Sequence, residues 1–183
     1  MAAPSPVTLA VIRAIDTVID WSGKIVAWSC VPLIAANTYE VVSRYGFNEP
    51  TEWASEVTMF AYGSMFMLGA AYALLKGAHI RTDMLWEKFS NFTKGRIDLF
   101  AYLVLFYPSM LALFYFTGIR FLESMAINER SANTAWQPLV WPFRGAIPLT
   151  ALLLMIQGVS EVLKVGHMAR TGEVLVQHEK IEI

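Results

Sequence analysis

The pair of residues with the clearest chemical promise is His79 and Asp83, in the stretch AYALLKGAHIRTDML over residues 71–85. On a helix, a four-residue spacing sets both side chains on one face, where an imidazole and a carboxylate can share a metal ion or pass a proton. A metal centre needs at least a third protein ligand, and the sequence offers only His167, near another helix end, or Glu87, one turn on. The position suits a brace better. Gly77 releases the preceding helix, Lys76 and Arg81 hold the water side, and His79 with Asp83 fixes the turn by a charge-assisted hydrogen bond. The remaining candidates are acids and amides set in apolar sequence: Asn37, Glu40, Glu56, Asp98, Gln157 and Glu161. Acids in such surroundings relay protons or bind ions by default. Here each acid falls within about two turns of the end of its apolar run, within reach of water or an arginine. Glu40 also stands four residues before Arg44, the spacing of a helical ion pair. The acids are therefore read as structural, and the deeper Asn37 and Gln157 as amides that join helices. No GxSxG, P-loop, HExxH or helix-opening GxGxxG is present, so neither an enzyme nor a bound cofactor is expected.

These side chains must be positioned by membrane helices. Of 183 residues, 56% are hydrophobic and 16% charged, and the net charge of −1 gives no electrostatic footprint for nucleic acid. Cys30 is the single cysteine, which rules out an intramolecular disulfide. Four stretches lack Lys and Arg altogether, 25–43, 45–75, 97–119 and 145–163. Each approaches the roughly 20 residues that a helix needs to cross a bilayer. They predict transmembrane helices over 25–43, 54–75, 97–120 and 144–165. Ten basic residues (Arg13, Lys24, Lys76, Arg81, Lys88, Lys94, Arg96, Lys164, Arg170, Lys180) fall on one side and four (Arg44, Arg120, Arg130, Arg144) on the other. The richer side is expected to be cytoplasmic, with both termini inside. The first residues lack the order of a cleavable signal peptide, so helix 1 is expected to insert as an uncleaved anchor. An apolar stripe of Val11, Ile12, Ile15, Val18 and Ile19, broken by Arg13, Asp16 and Asp20, predicts a surface helix over about 7–22. A smaller version, with Leu85, Phe89 and Phe92 opposite Glu87 and Lys88, predicts a second over 84–93, and 166–183 reads as a cytoplasmic tail. Trp21, Trp53, Trp86, Trp136 and Trp141 lie near span ends, where amphipathic rings anchor helices. The fold expected is all-α and integral to the membrane: one domain, four transmembrane helices, N-in/C-in, with an N-terminal amphipathic surface helix and a short cytoplasmic surface helix between helices 2 and 3.

Helix 2 carries Gly63, Ser64, Gly69, Ala70, Ala71 and Ala73, and Gly69 with Ala73 forms a small-xxx-small pair that lets another helix approach closely. Helix 3 is bulky on every side, as a lipid-facing helix would be, and Pro108 is expected to kink it. Residues alone leave two further readings open. One is a proton-coupled small exporter using Glu40, and the other is a haem-bearing oxidoreductase anchor using His79 and His167.

The run RYGFNEPTEWASEVTMFAYGSMFMLGAAYALLKGAHIRTDML, residues 44–85, resembles the DctQ-like small membrane subunit of tripartite ATP-independent periplasmic (TRAP) transporters. The resemblance rests on Arg44 and Tyr45, Trp53 and Glu56, Gly69 and Ala70, and His79 and Asp83, in that order. It continues through NERSANTAWQPLVWPFRGAIPLT, with Ser131, Pro138, Trp141 and Pro148, although Thr150 stands where many members have glycine. It spans roughly residues 20–165. The resemblance implies a non-catalytic subunit in the bacterial inner membrane that enlarges the fixed scaffold of a large, elevator-type permease subunit. That permease imports a carboxylate with sodium, delivered by a periplasmic binding protein. Asn37, Glu40, Arg44, Trp53, Glu56, Gly69, Ala73, His79 and Asp83 are then expected to serve structure or the subunit interface. Arg130, Ser131, Trp136 and Trp141, in the outer loop, are candidates for docking the binding protein.

Overall fold

The computed structural model describes residues 5–77 and 89–175. Helix α1 (Pro6–Ala27) starts at Ser5, whose hydroxyl oxygen accepts the Thr8 amide at 3.1 Å, with Pro6 where no N–H is needed. It stops because Pro32, one turn on, cannot donate to the Trp28 carbonyl. The Val31 amide takes that carbonyl at 3.1 Å, and a short break leads into α2 (Cys30–Gly46). A tight turn with Asn48 at a positive φ of 57° leads to α3 (Glu52–Leu75), and Gly77, at φ 67°, follows its end in the left-handed region. Helix α4 (Asn91–Ala101), a π-helical turn (Tyr102–Phe106) and α5 (Tyr107–Ala126) form one rod. The last helix, α6 (Trp141–Thr171), ends at Gly172, left-handed at φ 75°.

Four helical stretches are long and apolar enough to cross a membrane: Pro6–Gly46, Glu52–Leu75, Asn91–Ala126 and Trp141–Thr171. All four expected spans are therefore present, each in a helical stretch longer than the span expected. Ser90 caps α4, accepting the Thr93 amide at 3.3 Å, and so starts the third rod well before 97. The fourth helix carries Lys164 and Arg170 inside it, where the sequence placed them in or before a tail beginning at 166. The surface helix expected over 84–93 lies largely outside the described residues, as do His79 and Asp83.

Helix α6 is the bundle's axis. Half of its most apolar window is buried, against none for the α4–α5 rod, which is the lipid-facing character expected of helix 3. The core cluster joins Ile19 of α1, Ala71 and Leu74 of α3 and Leu154 of α6, with Phe106 and Met110 packed against it. Pro108 shapes the rod. It cannot donate to Val104, so the ladder shifts and the Tyr107 amide reaches back to the Tyr102 carbonyl in a π turn. The Ser109 hydroxyl satisfies the Leu105 and Phe106 carbonyls at 2.7 and 2.9 Å. This turn presses Phe106 and Tyr107 onto α6 at Gly158, where a Cβ would stand 2.7 Å from the Phe106 ring. Gly95 lets α4 approach the α6 backbone still more closely, since a Cβ there would meet the Ala169 nitrogen at 2.5 Å.

Candidate functional site

The polar side chains gather at the two ends of the bundle. At the end where α3 and α6 begin, Glu40 of α2 accepts from Arg44 Nε at 2.7 Å and from the Thr51 amide at 2.9 Å. The Arg44 Nη2 and Thr51 hydroxyl groups also bond it. Glu40 thereby satisfies the orphan amide at the start of α3 and closes the α2–α3 turn, with Tyr39 and Trp53 in ring contact at 5.4 Å beside it. Glu56, one turn into α3, is 2% exposed. Its Oε1 accepts from Ser131 Oγ at 2.5 Å and Thr134 Oγ1 at 3.2 Å, while its buried Oε2 has no hydrogen-bond partner among the described residues. The sequence placed Glu56 and Glu161 within reach of water; both are buried, because the loop between α5 and α6 folds over the first and α1 lies against the second.

That loop, residues 127–140, is tied across its base. Arg130 and Leu139 form an isolated antiparallel bridge, the Ser131 amide donates to the Pro138 carbonyl at 2.9 Å, and the Val140 amide to Glu129 at 2.9 Å. Glu129 is also held by Arg144, at 2.6 and 2.7 Å. Arg130 Nη1 donates to the Gln137 carbonyl at 3.0 Å, which leaves Trp136, 48% exposed, at the loop tip. Of the docking candidates, Trp136 and Arg130 are exposed, Ser131 is buried, and Trp141 is half-buried, its ring 6.4 Å from that of Phe121.

At the opposite end, Lys164 Nζ reaches Asp16 of α1 at 2.9 Å and Glu161 at 2.8 Å. Gln157 Nε2 donates to Asp16 and to Glu161, each at 3.2 Å, and Ser160 Oγ donates to Asp16 at 2.7 Å. Gln157 thus joins helices, as an amide buried in an apolar bundle should. Asn37 sits on the exposed face of α2 and turns its amide back to the Leu33 carbonyl at 3.1 Å. Next to the α1–α6 knot, Asp20 bridges Lys24 at 2.5 Å and Lys76 at 3.3 Å. The hydrogen bond to Asp20 raises the Lys76 ammonium above its ordinary range, so this pairing contributes below the usual lysine value and is lost as pH rises through the raised one.

Sequence reasoning missed Asp16, Ser160 and Lys164. Asp16 looked like part of a water-facing edge and Lys164 like a flank. A signal was nonetheless present: Gln157, Ser160, Glu161 and Lys164 repeat at i, i+3, i+4 and i+7, a polar stripe on an apolar helix that needs a partner. Among the described residues no three of His, Cys, Asp and Glu are grouped to hold a metal. The small residues of α3 divide. Ala71 is in the core, Gly63 lies under Phe143, and Gly69 has none of the described residues' packing atoms within 4 Å of where a Cβ would stand.

The family described as tripartite ATP-independent periplasmic transporters, DctQ component, matches this chain over residues 33–165. No curated protein matches it.

Proposed function

The chain belongs to the DctQ family, the non-catalytic small membrane component of TRAP transporters, which works with a large permease and a binding protein; from that premise we propose that it is a scaffold. It sits in the bacterial inner membrane with both termini cytoplasmic and α1 along the inner surface, a placement supported by the uneven division of its basic residues. The large subunit moves against it as an elevator and imports an organic acid with sodium. The outer loop helps to dock the binding protein through Trp136 and Arg130, and Trp141 and Ser131 support that loop from beneath.

One observation carries the scaffold reading. Helix α3 exposes Tyr62 and Phe66, and Gly69, in helical register with them and one turn before Ala73, has open space where a Cβ would stand. A helix of the large subunit fits there at close range, as small residues permit in a membrane. Asn37, exposed on α2, is a further contact for that partner in this reading. The exporter reading loses its support, because Glu40 is engaged by Arg44 and Thr51 in closing a turn.

Gly69→Leu tests the interface. A Cβ there has open space among the described residues, so the purified subunit should retain its thermal stability while losing copurification with the large permease. Undiminished copurification would remove α3 from the interface.

A further inference from the structure

We propose that Glu56 is a positioning residue for docking, its buried carboxylate holding the outer loop in the shape that the binding protein meets. The proposal rests on the docking reading above and deepens it.

The backbone pairing that joins the two arms of the loop lies near its base, so the tip gains from an anchor. The bridge at Arg130 and Leu139 and the Ser131-to-Pro138 bond fix where the two arms leave the membrane helices. The tip turn, closed by the Gln137 amide on the Thr134 carbonyl at 3.3 Å, is strained at Gln137, whose φ is 47°. Ser131 and Thr134 tie this tip down to α3 by donating to Glu56 Oε1 at 2.5 and 3.2 Å. The Ser131 hydroxyl oxygen in turn accepts the Asn133 amide at 3.3 Å, so one carboxylate oxygen organises the chain from 131 to 134.

A hydroxyl held by a carboxylate makes a shorter and stronger bond than one held by a neutral acceptor. Among the described residues these two hydroxyls are the hydrogen-bond donors to the buried carboxyl group of Glu56. Losing them leaves a carboxylate without solvation, which holds the loop closed. A tip ordered before the partner arrives does not have to be ordered on binding, and docking is tighter by that amount. Glu56 touches no partner and acts through the position of Trp136.

The test uses the small–large subunit complex in nanodiscs, titrated with the periplasmic binding protein of the same transporter. Glu56→Ala should weaken binding about tenfold, the scale of a lost hydrogen bond to a charged group. Glu56→Gln keeps an oxygen for Ser131 and Thr134 and should restore binding to within about threefold. Amide hydrogen exchange should rise over 129–140 in Glu56→Ala and stay unchanged in α6, a pattern that general destabilisation would not give. Where Glu56→Ala fails to assemble, Ser131→Ala removes one of the two donors and should weaken binding by a smaller factor. Trp136→Ala serves as the control for docking itself. If Trp136→Ala weakens binding while Glu56→Ala, or Ser131→Ala in its place, binds as the parent does, the positioning role is overturned and docking stands. If Trp136→Ala and Arg130→Ala both bind as the parent does, the docking reading fails as well.

Discussion

Where α1 crosses α6, Lys164 donates to carboxylates from both helices with its side chain only 8% exposed. Removing it leaves Glu161, buried, facing the partly buried Asp16, and breaking a buried pair costs up to about 3–5 kcal/mol. Lys164→Met should therefore lower the thermal stability of the purified subunit in detergent, by more than Asp16→Asn, which keeps an oxygen for the Ser160 hydroxyl. The Glu40–Arg44 pair was legible in the sequence because both partners lie on one helix at i and i+4. The Lys164–Asp16 pair was not, since which helix the polar stripe of α6 meets depends on the folded arrangement and no local spacing carries that. The same holds for Glu56, whose role is set by hydroxyls in a distant loop.

Helix boundaries show the same division between local and tertiary causes. The apolar runs revealed how many spans there are, because an unpaired cation near the bilayer centre is costly. They did not reveal where each helix ends. Ser90 capping extends α4 backwards, and burial of Lys164 against α1 lets α6 run on to Thr171. Pro108 was expected to kink its helix, and it acts by shifting one turn into π geometry that seats Phe106 at Gly158. Close approach at glycine then decides the packing. Gly95→Leu puts a side chain into the α6 backbone at Ala169, where nothing flexible can move aside, and should reduce the yield of folded subunit even when expressed alone. Gly69→Leu, on the open face, should spare the subunit and harm only the complex. Measuring folded yield and copurification for both variants separates internal packing from partner packing.

At the scale of the whole molecule, the ionisable groups gathered at the two bundle ends close turns, join helices or tie down a loop, while α3 keeps Tyr62 and Phe66 exposed beside the open space at Gly69. That division of labour suits a subunit that supplies a fixed surface to a moving partner rather than a transport path of its own. The family was legible from ordered motifs over residues 44–85, and two of their residues prove to be local braces: Arg44, through Glu40 just outside the run, and Glu56. The chain's dependence on its partners is tested by reconstitution. Proteoliposomes under an inward sodium gradient would contain this chain, the large permease subunit, or both, with the binding protein outside, loaded with a radiolabelled carboxylate. Uptake is predicted only where both subunits are present, with either alone at the background of empty liposomes. Uptake by this chain alone, or full uptake by the large subunit without it, would contradict the account.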